Sequence, residues 1–378
     1  MTSQTLHNQV DDWIVTALPL WLTTGWDSED GGFYESLDLE GQPIKNENRR
    51  IRVQFRQLFS ASYAAHFNLW DGAKQNADRS FDFIKNTLWG CDGQKGFPHI
   101  LDPNNKPIDS LRDSYDHMFC LLALAWYARI EDKDDVILFI DEIISFLDTD
   151  LRAINGGWLE GQPNTLPRRQ NPHMHGLEAF MALYEGTKNP KYLSRAGECF
   201  GYFAMHFYDS KTGTIREFFN EDWTPHWASH DEIEPGHMVE WVWLLHNYQA
   251  LTDTPCNLIM KHLYNTALKI GVKPNSRFLV DVTDPTGEII KKSKRCWPQT
   301  ELVKSSIALY RDEPNLENKI SADKAVQALF DGYLTKSIDG GWVDKLTLEE
   351  KPDVDRMPAS TLYHILVALN EYRLFIPQ

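Results

Sequence analysis

"DGGFYES" (30–36), "NGGWLEG" (155–161) and "DGGWVDK" (339–345) share one pattern: two glycines in a turn, an aromatic residue, then a short extended segment. Weaker copies stand between them: "KGFPHI" (95–100), "TGTIREFF" (212–219) and "SRFLVDV" (276–282). The residues just ahead of each aromatic or strand-like segment are 32, 96, 157, 213, 277 and 341, spaced by 64, 61, 56, 64 and 64. One-sixth of the 378-residue chain is about 63. Self-similarity at a fixed period marks a repeat architecture. The fourth copy lacks the aromatic and the fifth lacks glycine, so the repeat is structural rather than literal.

Between the copies the pattern is helical. In "RVQFRQLFSASYAAHFNLW" (52–70) apolar residues at 53, 55, 58, 59, 63 and 67 have helical spacing, and "AKQNADRSFDFIKNTLW" (73–89) reads as a second amphipathic helix. The pairing recurs at 113–129 with 133–149, 171–188 with 191–208, 236–251 with 256–270, and 298–311 with 322–336. A first helix over 3–24 and a last over 357–374 complete a sixth pair, giving twelve helices in six hairpins. An open solenoid needs polar caps at its ends. Here "WIVTALPLWL" and "STLYHILVALNEYRLF" are strongly apolar and look built to pair with each other. The sequence therefore predicts an all-α (α/α)6 barrel in one catalytic domain, 1–378. The even-numbered helices, which follow the glycine turns, form its inner ring.

Composition narrows the function. Lys+Arg 38 against Asp+Glu 54 gives a net charge of −16, which disfavours nucleic acid and anionic membrane as partners. The basic run "KKSKR" (291–295) is short and reads as loop. The start, "MTSQTLHNQVDDW", has neither the basic nor the apolar region of a secretory signal, and no apolar run approaches the roughly 20 residues of a membrane span. The five cysteines are scattered without a C-x-x-C, which argues against structural zinc and a disulfide framework. A cytoplasmic protein is expected.

The unusual polar residues cluster near the starts of the even helices. Arg52 and Gln54 open the second; Asp113, Asp116 and His117 the fourth; His173, His175 and Glu178 the sixth. His237 and Glu240 open the eighth, Trp297, Gln299 and Glu301 the tenth, and His364 the twelfth. Inner helices pointing the same way bring all six starts to one mouth. Each residue also has a plainer reading. A lone helical histidine is more often structural than catalytic, Asp113 has the makings of an N-cap, Arg52 of an ion pair and Trp297 of packing. Convergence across repeats favours His175, His237 and His364. His173 is read as structural, and His66, His99, His206, His226, His230 and His262 as structural or exposed. A metal site is the competing reading of His175/Glu178 and His237/Glu240. H-x-x-E spacing is weak evidence, and catalytic zinc needs three protein ligands.

"NPHMHGLEA" (171–179), "EPGHMVEWVWLL" (234–245) and "STLYHILVAL" (360–369), with "RVQFRQLFS" (52–60) and "WPQTE" (297–301), resemble segments of the N-acylglucosamine 2-epimerase superfamily. The resemblance spans the chain in order, and "EPGHMVEWVWLL" is most similar to the aldose–ketose isomerase branch. It implies an (α/α)6 barrel working without a cofactor or metal on a monosaccharide, with a monomer or a dimer both open. The implied reaction interconverts D-mannose and D-fructose, with D-lyxose and D-xylulose as a further pair. Epimerisation at C2 of a free sugar, an N-acylhexosamine or a cellobiose-type disaccharide is the alternative. A glycoside hydrolase using Asp113 and Asp116 is less favoured, because two carboxyls on one helix poorly flank a bond. By resemblance His364 carries the C2/C1 proton and His237 is the partner acid/base. Glu240 orients His237 or holds a hydroxyl, His175 and Asn171 bind hydroxyls, and Trp297 offers an apolar sugar face. Glu301 and Asp113 complete the expected sugar-binding set. The carbon acid is weaker than imidazolium by on the order of ten pK units, so a fixed cation must stabilise the enediolate. Arg52 is expected to supply it.

Overall fold

The structure is a computed structural model describing residues 3–131, 134–229 and 231–375; His230 lies outside the described residues. Among the described residues twelve α-helices follow one another in two concentric rings. The outer helices are α1 (Ser3–Pro19), α3 (Ala73–Phe83), α5 (Asp134–Thr149), α7 (Pro190–Tyr202), α9 (Asn257–Gly271) and α11 (Leu316–Leu329). The inner helices are α2 (Ile51–His66), α4 (Ser114–Tyr127), α6 (Asn171–Thr187), α8 (Pro235–Thr252), α10 (Cys296–Asp312) and α12 (Leu362–Phe375). Each inner helix packs on the next around the ring, and α12 returns to α2, so the (α/α)6 barrel is closed. Sequence dictates the layering. α7 buries one stripe, Tyr192, Ala196, Cys199 and Tyr202, whereas α2 is buried without interruption from Val53 to Ala64. A helix buried all round belongs inside.

Two features depart from plain helical hairpins. The outer helices α1, α3, α7 and α11 finish in a π-helical turn, at Leu20–Thr24, Ile84–Leu88, Phe203–Phe207 and Phe330–Leu334. The wider turn accommodates an extra residue before the chain enters the following loop. α11 also begins six residues before the expected 322, where Asn315 caps it by accepting from the Asn318 amide. Between hairpins, antiparallel ladders of two or three residues stitch neighbouring repeats. Arg49–Arg50 pairs with Ile100–Leu101, Arg168–Arg169 with Phe218–Phe219, and Ser293–Arg295 with Lys345–Thr347.

The glycine turns are clamped to the inner helices by a recurring device. Gln54 accepts from the Phe33 amide and donates to its carbonyl, and Gln299 does the same at Leu279. His117 Nε2 accepts from the Phe97 amide, and His173 Nε2 from the Trp158 amide at 3.1 Å. His173 is therefore structural, as expected. At the turn itself Gly32 has φ +81°, and a Cβ there would meet the Phe83 ring at 2.8 Å.

The first and last repeats close the ring without a covalent link. Trp21 Nε1 donates to the Gly340 carbonyl at 3.0 Å, Trp13 Nε1 donates to Gly341, and the Trp21 ring stacks on Trp342 at 4.1 Å. α1 packs against α12, as the apolar termini predicted. Among the described residues no helix is long and apolar enough to cross a membrane.

Candidate active site

The inner helices start at one end of the barrel, around a cavity of about 320 Å³. Its lining includes Arg52, Asn171, His175, His237, Glu240, Trp297 and His364, seven of the nine residues expected to form the site. Asp113 and Glu301 are not in the lining. Asp113 caps α4 by accepting from the Asp116 amide, and its carboxylate pairs with Arg169 at 2.9 Å. Its N-cap reading therefore replaces the sugar-binding one. Glu301 lies behind His364 and accepts from its Nδ1 at 2.7 Å, so it touches a histidine rather than the cavity.

Three histidines of the lining share one arrangement, with Nδ1 held by a carboxylate. His364 is held by Glu301. His175 is held by Glu178 at 2.9 Å, and His237 by Glu217 at 2.9 Å. Such a partner fixes the ring's orientation and tautomer. The expectation that Glu240 orients His237 does not hold. Glu217, from the loop before α8, does so, while Glu240 Oε1 lies 4.0 Å from His175 Nε2. The side-chain amide of Asn171 is 3.2 Å from His237 Nε2, and a flip presents its oxygen to a protonated ring. Trp297 stands close to two of these histidines, with ring centroids 5.1 Å from His237 and 5.6 Å from His364.

The environments of these two rings push their proton affinities apart. Burial, reinforced by Arg56 and Lys304, holds His364 well below the ordinary histidine range. Burial also opposes charge on His237, but Glu217 and Glu234 outweigh it and raise His237 to about 10. At neutral pH one ring is a neutral base and the other an imidazolium. Burial, with Glu301 beside it, pushes the Glu240 carboxyl well above its usual range.

Several cavity residues were not anticipated. Arg56 is the most informative. Its guanidinium is buried, donates to the Ser360 carbonyl at 2.7 Å and to the Tyr115 hydroxyl, and lies 4.7 Å from the ring centroids of Phe119 and Tyr363. Among the described residues it has no carboxylate partner in ion-pair contact. Arg52 differs, since its Nε pairs with Asp116 at 3.0 Å and Asp116 is also held by His99. The rim arginines are likewise paired, Arg50 with Glu35 and Arg295 with Glu234 and Asp281.

A register within the repeat explains many of these contacts. Two residues beyond Phe33, Phe97, Trp158, Ile215, Leu279 and Trp342, one from each copy, come Glu35, His99, Glu160, Glu217, Asp281 and Asp344. Each holds a polar residue near the start of an inner helix: Arg50, Asp116, Arg169, His237, Arg295 and Thr361 respectively. The signal was present in the sequence, but in the fourth and fifth copies it falls one residue later than the period places it.

Two sets of donor atoms, His175/Glu178/Glu240 and Glu240/Glu301/His364, have members within 4.8 Å of one another. Part of each set is already bonded within the protein. Both histidines use Nδ1 on a glutamate, and the Lys304 ammonium lies 2.6 Å from Glu301 Oε2.

A closed ring of helices with paired histidines of opposite protonation in a small polar cavity is chemically suited to moving protons on a compact substrate. The model of the N-acylglucosamine 2-epimerase (GlcNAc 2-epimerase) family matches residues 32–368, and the chain belongs to that family. A mannose-6-phosphate isomerase of Rhizobium meliloti (strain 1021) is 32% identical, over 94% of this chain and 93% of its own. A cellobiose 2-epimerase of Ruminococcus albus (strain ATCC 27210 / DSM 20455 / JCM 14654 / NCDO 2250 / 7) is 24% identical, over 89% of each chain. The crystal structure of a D-mannose isomerase superposes with a TM-score of 0.88 at 20% identity, covering 99% of this chain and 98% of that one. The protein is an enzyme of the sugar isomerase/epimerase kind.

Proposed function

We propose that the protein is a metal-independent aldose–ketose isomerase interconverting D-mannose and D-fructose, with D-lyxose and D-xylulose as a second pair. The observation that carries this reading is the opposite protonation of His364 and His237 around one cavity. His237, as imidazolium, gives its proton to the ring oxygen and recovers one from the anomeric hydroxyl as the sugar opens, and it later relays the O2 proton to O1. His364 Nε2 takes the C2 proton of the open aldose and returns it to C1 on the same face. Arg56, rather than Arg52, supplies the charge for the enediolate, because its cation is not neutralised by a carboxylate. Neutral Glu240, His175 and Asn171 bind hydroxyls, and Trp297 covers an apolar sugar face. The cation–carboxylate pairing around the mouth favours an unphosphorylated sugar. A phosphate of about two negative charges needs cations that are free to meet it, and Arg50, Arg52 and Arg295 are already paired.

The test is incubation in D₂O with mannose, mannose 6-phosphate, lyxose, glucose, N-acetylmannosamine and cellobiose, read by NMR with and without EDTA. Mannose is expected to give fructose carrying deuterium at C1, unaffected by EDTA. A deuterated C2 epimer without ketose makes the enzyme an epimerase instead. A much higher kcat/KM for mannose 6-phosphate overturns the free-sugar assignment. Activity lost to EDTA and restored by zinc or manganese overturns the metal-free one.

A further inference from the structure

Beneath the cavity floor lies a lysine that the chemistry above does not use. Lys304 is one turn along α10 from Glu301, with its side chain 1% exposed. Its ammonium lies 2.6 Å from Glu301 Oε2 and 4.0 Å from the centre of the Trp243 ring. Burying an ammonium is costly unless a partner compensates it. Here the partner is the carboxylate that holds His364, forming a continuous chain Lys304–Glu301–His364 with Nε2 at the cavity end.

We propose that Lys304 is a positioning residue for proton transfer: by keeping Glu301 a carboxylate, it fixes the His364 proton on Nδ1 and leaves Nε2 free to act as the base. This rests on the reading of His364 as the proton carrier. The argument is one of hydrogen-bond polarity. An ionised Glu301 only accepts, so Nδ1 must donate and Nε2 carries the lone pair. A protonated Glu301 donates instead, which puts the ring proton on Nε2 and blocks the base. Every element around the pair bears on this balance. Glu178 of α6 opposes charge on Glu301 and His237 of α8 favours it; Glu301 in turn raises Glu240 of α8, while Arg56 of α2 and His175 of α6 act on His364, where with Lys304 they oppose an imidazolium. Burial and Glu178 push the Glu301 carboxyl up, and the charge and hydrogen bond of Lys304 are the largest influence holding it down.

Lys304→Met is expected to lower kcat by on the order of 10²-fold or more with KM little changed; a wrongly tautomerised catalytic histidine can cost about 10⁴-fold. Its acid limb is expected to move up by about one pH unit or more, since either a protonated Glu301 or an imidazolium at His364 then has to lose a proton first. Lys304→Arg, which keeps the cation, is expected to restore the limb. The ¹⁵N NMR signals of His364 are expected to show Nδ1–H in the wild type and to lose that exclusive state in Lys304→Met. An unmoved acid limb together with an unchanged tautomer overturns the proposal. Glu301→Gln with Lys304→Met provides a second route that leaves no lone buried charge, compared with Glu301→Gln alone, which leaves the Lys304 ammonium without its carboxylate. The pair is expected to have equal kcat, and a further loss in the double variant overturns the proposal. Full activity of His364→Ala overturns the base assignment itself, while the NMR tautomer still reports on Lys304.

Discussion

At the level of single residues, the site works by contrast between like groups. Two histidines a ring's width from the same tryptophan are driven to opposite protonation states, and two arginines one turn apart on α2 differ in whether a carboxylate neutralises them. A bell-shaped pH dependence of kcat/KM is therefore expected. It falls on the acid side as His364 takes a proton, below the ordinary histidine range, and on the alkaline side as His237 loses one near 10. A single acid limb at the ordinary value, with no alkaline limb, would break the assignment of roles. Arg56→Met should lower kcat by roughly 10²–10³-fold, the usual loss on removing one oxyanion donor. Arg52→Met should act mainly on KM. Steady-state kinetics of the two variants, with circular dichroism to confirm folding, checks the difference. Arg52 was legible in the sequence because it stands at a helix start. Arg56 was hidden because, one turn further in, an arginine flanked by Phe55 and Leu58 reads as an interruption of a core helix. Glu301 was found but misplaced, since spacing along a helix does not tell whether a carboxylate faces the cavity or the back of a histidine.

Among elements, the unit of organisation is a glycine turn clamped to an inner helix start. The period and helix pairing were readable because amphipathic spacing survives sequence drift. The clamps were not, because glutamine and histidine do the same work in different repeats and share only a hydrogen-bonding capacity. Asp113 shows the limit from the other side. It belongs to the same end of the barrel as the site, yet its oxygens are spent on the Asp116 amide and Arg169. Asp113→Ala is expected to cost about 1 kcal/mol of stability, the usual loss on deleting an N-cap, while kcat changes by less than threefold. Thermal or urea denaturation with a parallel assay measures both. A loss of kcat without a loss of stability would return Asp113 to the substrate-binding set. The acidic register two residues past Phe33 and its counterparts shows how one structural position supports two uses. In three repeats it clips an arginine, and in the fourth it holds the imidazolium of His237.

In the whole molecule, the barrel depends on a seam where the last glycine turn grips the first helix. Trp342 is fully buried there between Trp13 and Trp21. Trp342→Ala is expected to destabilise by roughly 3–5 kcal/mol. The melting temperature should fall before activity at low temperature does, because Trp13, Trp21 and Trp342 are not in the cavity lining; an unshifted melt would show that ring closure does not carry stability. That seam also bears on chain connectivity. Five hairpins are covalently continuous, whereas the sixth, α12 with α1, is joined by packing and by the backbone ladder of Ser36–Leu37 with Met357–Pro358, yet all six place an inner helix at the same mouth. The order in which the hairpins are threaded is thus separable from the ring they build. Joining the ends of the chain by a flexible linker and opening it at an exposed inter-repeat loop, such as that around Ile154, would give a circular permutant with the same cavity.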